Sequence, residues 1–369
     1  MTDTPTPTYW DYLRIDELLS LQGGLEGDEK QIEPDELHFI IVHQAFELWF
    51  KLVLRELRLA RDYLAEPRVA EEVIPHVVHH LGRVNEIFRL LVDQFGIMET
   101  LTPQDFLAFR DKLVPASGFQ SFQMREIELV LGLADAQRVV EGGLDPMKTL
   151  ERMAKQSPRG EGAWSKIAAA RQETSLLEGL RRWLHRTPIQ GSSPGDPGDD
   201  AAVLGFIEAY LDRLEGTSSG PGSDKLRAIP GADVAETERR LAAGQTQAHT
   251  FLLALDRPEA ERARTRRTRA GLVFIESYRR LPLLAWPRLL IDTVVELEEQ
   301  LVLWRTRHAR MVERVIGRRV GTGGSSGVDY LDATAKYRIF GELWTVRTIL
   351  LPRDALPPLQ RPELYGFAV

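Results

Sequence analysis

The stretch ELHFIIVHQAFELWFKLVLRELRLARDYL, Glu36 to Leu64, decides the fold class. In it Phe39, His43, Phe46, Phe50, Leu54 and Leu57 recur at intervals of three and four, the spacing that stacks side chains on one face of an α-helix. The same period returns between Glu71 and Phe95 in Val77, Leu81, Val84, Ile87, Phe88 and Leu91. Thr102-Pro103-Gln104-Asp105 reads as a helix start: a Thr cap, Pro at the first position and an acidic residue at the third. The helix it opens carries Phe106, Phe109 and Leu113, with Arg110 at the margin of the apolar face. Val114-Pro115-Ala116-Ser117-Gly118 breaks it, and helical spacing resumes from Phe122 to Leu133. Strand-like alternation is nearly absent. The pattern predicts an all-α, bundle-like single domain over residues 1–369. A peripheral helical layer is expected at about 144–240, where aromatic residues are sparser. TPIQGSSPGDPGDD (Thr187 to Asp200) and Gly216 to Ser223 read as loops.

A chain of 369 residues is long enough to bury a sizeable core. Its net charge of −7 provides no field to draw it to nucleic acid or an anionic membrane. The arginine-rich stretch Arg257 to Arg280 reads as a solvated helix face rather than a polyanion site. The absence of cysteine excludes disulfides, thiolate-held zinc, iron–sulfur clusters, thiolate-ligated haem and covalent c-type haem attachment. The opening Met1-Thr2-Asp3-Thr4-Pro5-Thr6-Pro7-Thr8 lacks the basic and apolar regions of a signal peptide. No run reads as apolar enough to span a bilayer, since Pro282 and Pro287 interrupt the best candidate and Arg279, Arg280 and Arg288 bracket it. A soluble, cytoplasmic protein without a membrane partner is expected.

A second helix places a histidine among apolar residues. Leu301, Trp304, His308, Met311, Val312 and Val315 share one stripe, with Arg307, Arg310 and Arg314 on the solvated side. Each of His43 and His308, taken singly, fits a satisfied core histidine. Together they also fit two faces of one buried cofactor. Zinc suits them poorly: neither helix offers a spaced pair such as HExxH, His38 and His43 fall on different faces, and His79 and His80 are adjacent. Haem iron needs one proximal imidazole, so a lone histidine on a helix suffices. The loop GTGGSSG, Gly321 to Gly327, lacks the GK[ST] ending and the preceding strand of a phosphate loop. It reads either as a plain turn or as a backbone nest approaching a ligand. Arg110 fits a carboxylate grip or a surface ion pair.

The chain resembles the tryptophan 2,3-dioxygenase family. The matching blocks are Tyr12-Leu13-Arg14-Ile15-Asp16-Glu17-Leu18-Leu19, Phe39 to Phe50, Phe109-Arg110, Pro115 to Ser121, Arg125, the His308 helix with Met311-Val312-Glu313-Arg314, and the glycine loop. They run in the family's order from Tyr9 to about Pro352 and are weakest from Leu144 to Arg240. The resemblance implies a non-covalent b-type haem with His308 as iron ligand and Trp304 orienting the imidazole. Ser117, Gly118, Arg125 and Val312 would line the haem pocket, with Arg125 near a propionate. His43 would stand at the distal side close to the indole N–H. Arg110 would grip the substrate carboxylate, Thr322 would meet the ammonium, and Phe39 and Phe106 would wall the indole. Tyr9 and Tyr12 would complete the pocket of a neighbouring subunit in a homotetramer.

The implied reaction is opening of the indole ring of L-tryptophan by O2 to N-formyl-L-kynurenine. Trp10-Asp11, Val328-Asp329-Tyr330, Phe46 and an extended loop around Gly191 depart from the family pattern. These departures leave room for the alternative of haem-dependent mono-oxygenation of tryptophan or a modified tryptophan. A haem carrier without turnover would have no use for Arg110, Phe39 and Thr322 together.

Overall fold

The computed structural model describes residues 6, 8–115, 118–140, 145–218, 229, 233–322 and 326–366. Among them the regular structure is helical, with one isolated bridge between Ile189 and Ser192 and no strand, in agreement with the all-α reading. The chain opens with two short helices, α1 (Tyr9–Leu13) and α2 (Ile15–Leu18), and then two long ones, α3 (Pro34–Ala65) and α4 (Ile74–Met98). There follow α5 (Pro103–Phe109), α6 (Phe122–Leu131), α7 (Pro146–Ala154), α8 (Pro158–Ala170), α9 (Leu176–His185) and α10 (Asp199–Ser218). The remainder are α11 (Val234–Leu252), α12 (Glu259–Ser277), α13 (Ala285–Ile316), α14 (Val328–Thr334) and α15 (Gly341–Thr348).

Their starts are written in the sequence. Thr102, Ser121, Asp145, Ser157 and Ser175 each accept a hydrogen bond from a backbone N–H of the first turn they cap. A cap of this kind is worth about 1 kcal/mol. Pro occupies the first turn of α3, α5, α7 and α8, where its missing N–H costs nothing. At the end of α6 the chain turns through Gly132 at φ 113°, where a side chain would meet Ser175 and Leu177. The expected break after Val114 is present, but the helix before it ends at Phe109 and Arg110–Leu113 form a 3-10 turn. Helix α10 runs to Ser218, past the Gly216 where a loop was expected; residues 219–223 lie outside the described set.

The bundle is centred on α3, α4 and α13. Val53, Leu57, Ala60 and Leu64 of α3 meet Val77, Leu81, Val84 and Phe88 of α4, all fully buried. Each such large apolar side chain contributes roughly 1.5–3 kcal/mol through burial. Helix α13 packs along α4, and α9 packs on α3 and α12. The layer expected at about 144–240 divides in two. α7 and α8 form a small core of their own from Met147, Leu150 and Ile167, backed by Phe122 and Trp164. α9 and α10, by contrast, put Leu176, Leu180, Phe206 and Tyr210 into the main core.

Two expectations are overturned. The arginine-rich stretch is only partly a solvated face, because α12 buries Arg267 against Asp199 at 2.9 Å and Arg269 against Asp256 and Glu342 at 2.6 and 3.0 Å. Helix α3 is by length and hydropathy apolar enough to cross a membrane, although no run was expected to be. Its charges in the apolar half, Glu47 and Lys51, are too few to lower the mean hydropathy. The helix is nevertheless packed by α4, α6 and α9, and it buries Glu36, Glu56 and Arg61 as well as apolar residues. That is the environment of a core helix, in which protein rather than lipid satisfies the charges.

Candidate active site

Helices α3 and α13 deliver His43 and His308 to the wall of one cavity of about 660 Å3. The size suits a cofactor or a small-molecule ligand. Most of its lining is apolar, from Phe39, Phe46, Phe50, Phe95, Met98 and Phe106. Two stretches remote in sequence thus meet because their apolar faces share a core.

His308 is held by rings. Phe95 lies parallel to it, with centroids 5.5 Å apart and 9° between planes, and Trp304 stands 5.3 Å away at 36°. Trp304 in turn packs against Phe46, Phe50 and Phe95. Its indole Nε1 is buried without a hydrogen-bond partner, so any orienting of the imidazole comes from ring packing. Burial, reinforced by His43, Arg125 and Arg305, lowers the His308 pKa to about 4. The ring is therefore neutral and able to donate a lone pair.

His43 is also held neutral, by burial in the first place. Its Nδ1 lies 2.7 Å from the carbonyl oxygen of Phe39. A carbonyl only accepts, so Nδ1 carries the hydrogen and Nε2 keeps its lone pair. The Phe39 ring covers the imidazole at 4.0 Å and meets Phe106 and Phe109 at 5.9 and 5.6 Å. One turn further along α3, Glu47 lines the cavity and accepts from Gln123 Nε2 at 2.7 Å.

Arg110 lines the cavity from the 3-10 turn after α5. Its Nη2 donates to the carbonyl oxygen of Val320 at 2.7 Å, which ties it to the approach of the glycine loop. Its Nε is buried without a partner. A guanidinium edge in that state suits an incoming carboxylate. Gly118, Val312 and Thr322 also line the cavity, as does Arg125. Ser117 lies outside the described residues. Tyr9 and Tyr12 are not in this cavity: α1 has no buried residue, and the two rings are 71% and 80% exposed. Asp11 caps its own helix by closing a box with Thr8, and both Trp10 and Asp11 are exposed.

A charged cluster that sequence reasoning missed borders the same cavity. Glu128 is fully buried and accepts from Arg125 Nη1 at 2.9 and 3.1 Å, from Arg138 Nη1 at 2.5 Å and from Arg305 Nη2 at 2.9 Å. Although burial alone would raise it, the three guanidiniums hold its pKa down at about 2. Two signals were available. Leu301, Arg305, His308 and Val312 follow the helical spacing of the apolar stripe, as do Met124, Glu128 and Leu131 on α6.

The donor set fits a haem better than a bare metal ion. Among the described residues no group of three or more His, Asp or Glu side chains could hold a metal. One neutral imidazole facing a large apolar cavity is what haem iron requires. Guanidiniums at the wall are suited to acidic groups on its edge.

The profile of the family described as tryptophan 2,3-dioxygenase matches residues 2–350. A tryptophan 2,3-dioxygenase of Sorangium cellulosum is 45% identical over 99% of this chain and 89% of its own length. A second, tryptophan 2,3-dioxygenase 2 of Ralstonia nicotianae, is 46% identical over 98% of both chains. A third, from Dictyostelium discoideum, retains 33% identity over 96% of this chain and 86% of its own. These relatives favour dioxygenation over the mono-oxygenating alternative, and the chain belongs to the tryptophan 2,3-dioxygenase family, enzymes that oxidise tryptophan.

Proposed function

We propose that the cavity seats a b-type haem on His308 and holds L-tryptophan beside it for opening of the indole ring to N-formyl-L-kynurenine. The observation that carries this reading is the meeting of two buried neutral imidazoles and an arginine with an unpartnered Nε around one apolar cavity. When bound, ferrous haem supplies the binding and activation of O2. His308 offers the iron its neutral imidazole, and Trp304 and Phe95 fix the ring's orientation. Gly118, Val312 and Arg125 line the cavity and would border the macrocycle, where Arg125 would meet its acidic groups. Ser117, which is not among the described residues, is assigned to the same wall by resemblance alone.

Arg110 receives the substrate carboxylate, and Thr322 meets the ammonium. Phe39 and Phe106 form the wall against which the indole lies. His43 accepts the indole N–H at Nε2, the nitrogen left bare by the Phe39 hydrogen bond. It positions the ring and does not have to remove the proton. Fixing carboxylate, ammonium and ring together holds the reacting carbons in place, and the apolar walls keep water out. The enzyme works as a cytoplasmic homotetramer, in which Tyr9 and Tyr12 reach the pocket of a neighbouring subunit.

The test is haem retention. His308→Ala is expected to lose the haem absorbance, whereas His43→Ala keeps it and slows turnover. An unchanged haem spectrum in His308→Ala would remove the ligand assignment.

A further inference from the structure

Three guanidiniums meet one buried carboxylate, Glu128, at the wall of the cavity. Arg138 also pairs with the exposed Asp135 at 3.1 Å, a carboxylate it shares with Arg171. Arg125 and Arg305 both pair with Glu128, at 2.9 Å each. Both guanidiniums line the cavity, whereas Arg138 does not. Arg305 is further fixed by donating to the carbonyl oxygen of Thr334 at 3.2 Å and by lying 4.6 Å over the Tyr337 ring. It also stands three residues before His308 on α13, hence one turn away on nearly the same face. A fixed positive charge is thus built into the wall beside the imidazole.

Resting on the haem reading above, we infer that Arg305 is a positioning residue of an electrostatic kind. Held by Glu128, it sets the reduction potential of iron bound at His308 and favours the ferrous state. Ferric haem carries one more positive charge than ferrous haem, so a nearby guanidinium in a poorly solvated wall disfavours it. The bias has a use in this reaction. Tryptophan and O2 together contain every atom of N-formyl-L-kynurenine, so turnover brings in no reductant to restore iron that has drifted to the ferric state. Glu128 prevents the opposite fault, since unneutralised guanidiniums would not stay buried.

The experiment is a spectroelectrochemical titration of the haem-loaded protein and three variants. Arg305→Met removes the charge, Arg305→Lys keeps it, and Arg138→Met removes a Glu128 partner that does not face the cavity. A buried unit charge acting over one or two helical turns at an effective dielectric of about 20 is worth roughly a factor of ten. Arg305→Met is therefore expected to lower the ferrous-to-ferric ratio at a fixed potential about tenfold, about 59 mV for a one-electron couple. Arg305→Lys should stay within about threefold of the wild type, and Arg138→Met within about twofold. Should Arg305→Met not fold, Arg305→Gln makes the same comparison while retaining a hydrogen bond to Glu128. Equal shifts in the Arg305 and Arg138 variants, or no shift in either, overturn the inference and leave the haem site standing. A wild-type protein that takes up no haem overturns both.

Discussion

His43 Nδ1 donates to the Phe39 carbonyl oxygen at 2.7 Å, one turn back on the same helix. That bond fixes the tautomer, and burial holds the imidazole pKa below its usual 6.5. Nε2 is then an acceptor at neutral pH and becomes a donor only in acid. On the proposed role, kcat/KM for L-tryptophan should be flat from about pH 8 down to about pH 6.5 and fall below that. His43→Ala should remove the acid limb and lower kcat/KM about tenfold, the worth of one neutral hydrogen bond. With 1-methyltryptophan, which has no indole N–H, the same substitution should cost less than threefold by the same reasoning. An equal loss on both substrates would show that His43 acts otherwise.

Arg110 should matter through the carboxylate. Hydrogen bonds to charged groups are worth about 1.5–3 kcal/mol, so Arg110→Met is expected to lower kcat/KM for L-tryptophan on the order of a hundredfold. Binding of tryptamine, the same indole without a carboxylate, should change less than threefold on that account. Arg110→Lys, which keeps the charge and loses the fork, should fall between. Steady-state kinetics and a spectral binding titration read the two effects, and equal losses for both ligands would remove Arg110 from the carboxylate.

The long helices and the two histidines were legible because a period of three and four survives in any sequence that must bury one helical face. Leu301, Trp304, His308 and Met311 needed no partner to be seen. Arg305 and Glu128 escaped because charged residues read as solvated, and what makes them buried is each other, 177 residues apart. A pairing of that kind belongs to the tertiary fold. The membrane-like hydropathy of α3 escaped because a period of three and four marks one apolar face and does not register the mean over the whole helix. Most roles within the site came from family resemblance. Periodicity could show that Arg110 sits at the margin of an apolar face but not that its Nε is buried without a partner.

Acid should destabilise the protein in two windows. The His308 pKa is depressed to about 4, so the unfolded chain binds more protons as pH drops below about 6.5. Stability present above that pH is lost as pH falls through 4. Glu128, at about 2 instead of its usual 4.5, adds stability that is complete above 4.5 and is lost as pH falls toward 2. The second term is roughly 3 kcal/mol. Denaturant unfolding of the haem-free protein across this range should show both limbs. His308→Ala should flatten the upper one and Glu128→Gln the lower one, and a profile that Glu128→Gln leaves unaltered would rule out the carboxylate as its source.

The N-terminal helix makes the assembly testable. α1 has no buried residue, yet it carries Tyr9, Trp10 and Tyr12 at 71%, 61% and 80% exposure. Three large rings left in water by one short helix are unfavourable unless something covers them. If the cover is the pocket mouth of another subunit, light scattering should report four chains. A protein lacking residues 1–18 should keep its haem and lose more than about tenfold in kcat/KM, the scale of a few lost pocket contacts. The decisive step is mixing. A His308→Ala chain has an intact arm and no working site, whereas the truncated chain has a site and no arm. Co-refolded or co-expressed, the two should recover activity that neither has alone, because each arm serves a neighbour. Recovery no greater than the sum of the separate proteins would mean that the arm folds back on its own subunit or serves another purpose.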